Sequence, residues 1–347
     1  MSHSSSVQAL FKPFSAGSLE LANRIVMAPM TRQFSPEGVP GSNVADYYRR
    51  RAANGVGLII TEGTIIDHPD ASNLDHVPHF YGEAALNGWA TVVAAVHKAG
   101  GKIFPQIWHM GAKGHVGDYS ESDIAGIVQA FAQAASAAKE LGFDGIELHG
   151  AHGYLIDQFF WEQTNPRTDS YGGSDLLSRS RFAVEVIEAC RRAVGPDFPI
   201  GFRFSQWKIT DYSVKLAATP EQLEPFLKLL ADAGVDIFHC STRRFWEPEF
   251  EGSGLNLAGW TKKLTGKPAI TVGSVGLDSD LTALFTEGKG GNVDKIEGLI
   301  ERLESGEFDL VAVGRALLSD PEWASKVREG RTGELTPFTP EVLGKLY

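Results

Sequence analysis

The densest cluster of side chains able to hold and protonate a small molecule is His149-Gly-Ala-His152-Gly-Tyr154. Imidazole nitrogens donate or accept hydrogen bonds, and a phenol carries a proton at neutral pH. A helical turn here would put His149 and His152 on one face, where they could grip one substrate oxygen together with Tyr154 near enough to deliver a proton. Two other readings stay open at this point. The histidines could simply cap a strand, or they could bind zinc if Glu147 or Asp157 converged on them, although no familiar metal motif surrounds them and no metal is expected.

Further polar residues stand at the ends of apolar runs. Arg203 is either a rim ion pair or a partner for developing negative charge, and Pro29-Met30-Thr31-Arg32 and Gln106 are suited to hydrogen-bonding a planar heterocycle. Gly273-Ser274-Val275-Gly276 and Gly314-Arg315 form two glycine loops. Glycine lets backbone N–H groups approach phosphate oxygens, a following helix N-terminus adds positive potential, and Arg315 would add a charge-assisted contact. Tight strand-to-helix turns also use glycine, so one such loop alone means little.

The elements that must position these groups are eight short apolar runs: Ile25–Met30, Val56–Glu62, Lys102–Trp108, Gly145–His149, Ile200–Ser205, Val235–Ser241, Pro268–Gly273 and Leu310–Gly314. Segments of helical periodicity separate most of them, for example Ile124–Leu141, Arg181–Val194, Pro220–Ala233 and Lys295–Ser305. Strands alternating with helices imply parallel pairing with right-handed crossovers, and eight such units can close a (β/α)8 TIM barrel. A doubly wound open sheet competes, but no G-x-G-x-x-G follows the first run. In a barrel the loops after the strands' C-terminal ends build the site, which is where all of these polar groups fall. A phosphate cradle, donors for a heterocycle and a His/His/Tyr cluster form an inventory that FMN fits.

The chain of 347 residues is expected to form a single domain over 1–347, with 43% hydrophobic and 22% charged residues, close to globular averages. A net charge of −11 argues against nucleic acid or an anionic membrane as partner. Cys190 and Cys240 are the two cysteines, too few for a disulfide framework or an iron–sulfur cluster, so a reducing cytoplasm is the default. The opening residues Met1-Ser-His-Ser-Ser-Ser lack an export signal, and no run reaches membrane-spanning length.

Across nearly its whole length the chain resembles the old yellow enzyme family of flavin-dependent ene-reductases. The residues that carry the resemblance are Leu10-Phe-Lys-Pro, Asn23-Arg-Ile-Val-Met-Ala-Pro-Met-Thr-Arg32, His149-Gly-Ala-His-Gly-Tyr154, Asp157-Gln-Phe, Asn165-Pro-Arg-Thr-Asp-Ser-Tyr-Gly-Gly173, Arg179 and Val313-Gly-Arg315. The resemblance implies FMN contacts from Pro29, Met30, Thr31, Gly63, Gln106 and Arg203, with Gly273, Ser274, Gly314 and Arg315 at the phosphate. It implies that His149 and His152 hold the substrate carbonyl or nitro oxygen, that Trp108 lines the substrate pocket, and that Tyr154 is the proton donor. The implied reaction passes a hydride from NADPH or NADH through flavin N5 to the β-carbon of an electron-poor alkene, while Tyr154 protonates the α-carbon from the opposite face. Thr31 would tune the flavin, and Arg203 would offset negative charge near N1.

Reduction of nitro compounds or nitrate esters on the same flavin is the alternative acceptor chemistry, and a flavin-storing protein is the alternative class. Monomer and homodimer are both compatible with the sequence. The chain departs from the family pattern after Gln106-Ile-Trp-His-Met-Gly-Ala112, where only Lys113–Glu121 precedes the next helix. That shortening is expected to widen the entrance to the site while leaving flavin binding intact, because the ring and phosphate contacts lie on other strands.

Overall fold

The computed structural model describes residues 7–111, 114–208, 211–280, 284 and 286–347. Ahead of the barrel, β1 (Phe14–Ala16) and β2 (Leu19–Leu21) pair antiparallel across a turn in which Gly17 has φ 58°. Eight parallel strands then close on themselves: β3 (Ile25–Met27), β4 (Leu58–Ile65), β5 (Lys102–Trp108), β6 (Ile146–Gly150), β7 (Ile200–Ser205), β8 (Ile237–Ser241), β9 (Ala269–Val272) and β10 (Leu310–Val313), with β10 pairing back onto β3. The barrel and its crossover helices match the expected architecture.

Two cores follow from this topology. Outside the strands, the helices bury one face each. On Arg181–Val194 that face is Phe182, Ala183, Val186, Ile187, Cys190 and Val194, the three- and four-residue spacing of one helical stripe. Inside the barrel, Val26, Leu58, Ile60, Phe104, Ile237, Ile270, Leu310 and Ala312 form a separate cluster, and Phe14, Leu19 and Leu21 of the hairpin join it. The hairpin therefore covers the end of the barrel opposite the strands' C-termini. Each fully buried side chain of this size contributes about 1.5–3 kcal/mol by leaving water.

The expected runs are the barrel strands, with shifted ends. β3 stops at Met27 rather than Met30. Ala28 still donates to Val313 O at 2.9 Å, but Pro29 has no N–H to continue the ladder, so Ala28–Met30 peel off into the mouth. β4 runs to Ile65 instead of Glu62 because its register against β5 shifts between Ile60 and Gly63. The helix expected from Ile124 starts at Glu121, since the Ser120 side chain accepts from Asp123 N and Asp123 reciprocates. Helices Arg181–Val194 and Pro220–Ala233 have the expected bounds, and the one expected over Lys295–Ser305 spans Glu297–Glu304. Among the described residues no helix is long and apolar enough to cross a membrane.

Candidate active site

β6 delivers His149 to the barrel mouth, and the chain then reverses sharply. It does not turn helically as the spacing suggested. His152 has φ 65° and Gly153 φ 81°, a left-handed pair that Gly153 accommodates freely and His152 adopts under constraint. The turn is held by Gly153 N donating to Asp157 Oδ2 at 2.8 Å, Gln158 Nε2 donating to Gly153 O at 2.8 Å and His152 N donating to Ser205 Oγ at 3.3 Å. Trp161 Nε1 donates to the second oxygen of Asp157 at 3.1 Å. Burial outweighs these bonds and pushes the Asp157 carboxyl up to about 7.

The turn brings three rings together. His149 lies edge-on to His152 with centroids 5.1 Å apart and edge-on to Tyr154 at 4.9 Å. Trp108 stacks on His149 at 6.0 Å and meets Tyr154 at 4.8 Å. His152 Nε2 bonds Ser241 Oγ at 2.7 Å, and its ring stacks on Trp207 at 5.1 Å. His149 Nδ1 is buried without a protein partner. Burial holds both histidines well below the ordinary value, reinforced by Arg203 and His239 and, at His149, by His152. Both are neutral imidazoles at physiological pH. Burial raises the Tyr154 phenol against the opposing pull of Arg203, so it keeps its proton.

Beside this cluster lies a pocket walled by Pro29 and Met30 after β3, His152, Arg203, Ser241, the Thr242–Arg243 segment, Gly273, Ser274, Gly314 and Arg315. Arg203 is enclosed; burial depresses its guanidinium, Glu147 opposes that, and its Nε has no protein partner. Gly273 has φ 131°, and a Cβ there would stand 2.7 Å from Thr242 O. Ser274, at φ 50°, holds its Oγ 3.1 Å from Arg243 O and 2.9 Å from Ser279 O, two carbonyls that share its one hydroxyl proton. Arg315 donates to Ser279 Oγ at 3.2 Å and Asp280 O at 3.1 Å, tying both glycine loops together. A buried guanidinium whose Nε lacks a protein partner, beside a Gly273 turn that a Cβ would fill, suits an anionic, heterocyclic cofactor.

Other expected residues sit apart from this pocket. Thr31 is exposed at the mouth and does not wall it. Gly63 packs under Trp108, whose ring atoms would lie 2.5 Å from a Cβ. Gln106 is buried within the barrel, its N–H donating to Thr61 Oγ1 at 3.1 Å and its Nε2 to Glu147 Oε1 at 2.8 Å. Glu147 and Asp157, the acids a zinc site would need, are committed to Gln106 and His239 and to Gly153 and Trp161 respectively. In the segment 242–246 after β8, Thr242 and Arg243 wall the pocket, whereas Phe245 is buried and Trp246 exposed and neither walls it.

Trp207 and Ser241 were not singled out from the sequence. Their signal was positional: Ser241 ends β8, and Trp207 lies two residues beyond the end of β7. Of the short loop, Ala112 and Lys113 lie outside the described residues. From Gly114 onward it forms a turn over Val116–Asp118 that Arg167 pins by donating to Val116 O at 2.8 Å and Tyr119 O at 2.5 Å. This turn borders an open cavity of about 710 Å³ whose inner wall is His152, Gly153, Asp157 and Lys208.

The model of the NADH:flavin oxidoreductase / NADH oxidase family matches residues 9–120 and 116–334. An NADH oxidase of Thermoanaerobacter brockii is 37% identical over 94% of this chain and 52% of its own length, so the chain spans about half of that relative. A putative 12-oxophytodienoate reductase 2 of Oryza sativa subsp. japonica is 34% identical over 90% of this chain and 85% of its own. Among solved structures, the old yellow enzyme homologue from Zymomonas mobilis superposes with a TM-score of 0.78 at 26% identity, covering 97% of this chain and 96% of that one. The chain belongs to the NADH:flavin oxidoreductase / NADH oxidase family, the old yellow enzyme family of FMN oxidoreductases that use a nicotinamide donor.

Proposed function

We propose that this protein is an ene-reductase: it takes reducing equivalents from NADPH or NADH and saturates electron-poor alkenes bearing a carbonyl or nitro group. Pro29, Met30 and Arg203 on the pocket wall, with Gln106 buried below them, would hold the FMN ring, and Gly273, Ser274, Gly314 and Arg315 its phosphate. When bound, FMN supplies hydride transfer from the nicotinamide to the alkene. The protein binds, orients and protonates.

The observation that carries this proposal is a cluster beside the pocket of two neutral imidazoles, His149 buried and His152 partly buried, with a protonated phenol, the rings of His152 and Tyr154 lying 5.1 Å and 4.9 Å from His149. A neutral imidazole can aim an N–H at a carbonyl or nitro oxygen without titrating near neutrality. As negative charge grows on that oxygen, fixed donors in a buried site strengthen more than they do in the ground state, which lowers the barrier. Ser241 holds His152 and Trp108 buttresses His149, so neither must reorganise. Tyr154, just before the short helix Leu155–Phe160, would give its proton to the α-carbon. The short loop after β5, bordering the cavity outside His152, fits substrates bulkier than cyclohexenone.

The test is Tyr154→Phe in stopped flow, with each half-reaction followed separately. Flavin reduction by nicotinamide should stay within about twofold of wild type, and reoxidation by an enone should slow by about 100-fold or more, the usual span of a general acid. Equal slowing of both halves would remove Tyr154 from the proton-donor role.

A further inference from the structure

Below the mouth, four polar side chains form one buried row across β5 to β8. Gln106 stands in register with Glu147, and Arg203 in register with His239. Gln106 Nε2 donates to Glu147 Oε1 at 2.8 Å, and His239 Nδ1 pairs with Glu147 Oε2 at 2.7 Å. Gln106, Glu147 and His239 are between 0% and 3% exposed. Burial lowers His239 despite the opposing Glu147, so the ring is neutral and its Nδ1–H donates. Its Nε2 is buried without a partner.

A carboxylate only accepts hydrogen bonds, so Glu147 dictates which way the Gln106 amide faces: Nε2 points to Glu147, leaving Oε1 and the second Nε2 hydrogen for another partner. One acceptor and one donor side by side complement the alternating N–H and C=O of a pyrimidine-dione ring edge. The same carboxylate is the counter-charge of Arg203, whose guanidinium it favours electrostatically.

We propose that Glu147 is a positioning residue for the flavin: it locks the Gln106 amide in the orientation that receives the ring, and its charge balances Arg203. The inference rests on FMN binding at this mouth. An uncompensated Arg203 would favour the more negative, reduced ring; Glu147 limits that bias. His239 fixes the second oxygen and so keeps the first aimed at Gln106.

The test uses apoprotein titrated with FMN and the midpoint potential of the holoprotein. Glu147→Gln removes the charge and presents either an acceptor or a donor to Gln106. It should weaken FMN binding about tenfold, a difference of ~1.4 kcal/mol, and move the potential positive. Glu147→Asp keeps the charge but shortens the reach, so affinity should fall with the potential unchanged. In a Gln106→Ala background the affinity loss from Glu147→Gln should shrink to about twofold or less, while the positive shift persists, because the charge acts through space.

An unmoved or more negative potential in Glu147→Gln overturns the proposal, as does a full affinity loss in both backgrounds, which would mark Glu147 as merely structural. If Glu147→Gln folds poorly, the Glu147→Asp pattern of weaker binding at constant potential decides the matter, and wild-type affinity there also overturns it. Failure of the wild-type apoprotein to bind FMN overturns the cofactor proposal and this inference together. Weakening by Arg315→Ala and Gln106→Ala with wild-type behaviour in both Glu147 variants overturns this inference alone.

Discussion

At the scale of single residues, burial decides protonation around the mouth more than any partner does. It keeps His149 and His152 neutral and Tyr154 protonated, the states that oxygen anchoring and proton donation need. Glu62 shows the cost of the same effect. Its Oε2 accepts from Arg32 N at 2.8 Å and Gln33 N at 3.1 Å, clamping the backbone just beyond Pro29–Thr31, yet its Oε1 is buried without a partner and its carboxyl is pushed from 4.5 up to about 7. A carboxyl raised in the folded state contributes stability that is fully present below its unfolded value and is lost as pH rises through about 7. Wild type should therefore lose stability between about pH 5 and 8, with Glu62 responsible for on the order of 3 kcal/mol. Glu62→Gln can keep both accepted bonds on its carbonyl oxygen, so thermal or urea unfolding at the two pH values should show a smaller difference than in wild type. Asp157, also raised to about 7, adds a residual slope of the same sign. Equal slopes in the two proteins would contradict the assignment.

His149, His152 and Tyr154 could be picked out from sequence because chemically able side chains followed directly on an apolar run. The turn that joins them could not. Histidine does not announce a left-handed φ, and the bonds to Asp157, Gln158 and Ser205 that stabilise it come from other segments. Glu62 escaped notice, and Glu147 drew attention only as a possible zinc ligand, for a different reason: each sits within an apolar strand, where only the paired strands reveal its partners.

At the scale of elements, loops after β3, β6, β7, β8, β9 and β10 wall the pocket, while the strands keep them in place. The loop after β9 is the tightest. Gly273 at φ 131° abuts Thr242 O and Arg243, and Ser274 bonds the carbonyl of Arg243, so the two loops close as one unit. Gly273→Ala adds a Cβ where a backbone oxygen stands 2.7 Å away and imposes a left-handed strain. It should lower stability by about 1–3 kcal/mol. FMN affinity should fall by at least about tenfold, a change worth ~1.4 kcal/mol of binding free energy. Titration of both apoproteins with FMN and with riboflavin checks the assignment. A loss confined to FMN identifies the phosphate cradle, and an equal loss for both flavins would move the phosphate elsewhere. From sequence, the two loops were recognisable by their glycines, whereas their joint locking through Arg315, Ser279 and Asp280 depends on contacts more than 30 residues apart.

Over the whole molecule, eight strand–helix units dictate the barrel because its strands, mostly apolar, are buried on both faces and every crossover carries a helix. That much followed from the alternation, the count of eight and the lack of a G-x-G-x-x-G after the first run. The hairpin Phe14–Leu21 did not, since strands of three residues leave no period to read, and its role as a cover appears only where Phe14, Leu19 and Leu21 meet the barrel interior. With one end covered, chemistry is confined to the other, where His152, Arg203 and the glycine loops wall one pocket and His149 and Tyr154 pack against His152 or one another beside it. The central claim is that this opening takes electrons from a nicotinamide and delivers them to an activated alkene. Anaerobic mixing of the FMN-loaded protein with NADPH, then with 2-cyclohexenone, tests it through the flavin absorbance near about 450 nm. The account predicts bleaching in the first mix and full recovery in the second with formation of cyclohexanone; bleaching that the enone does not reverse would contradict it.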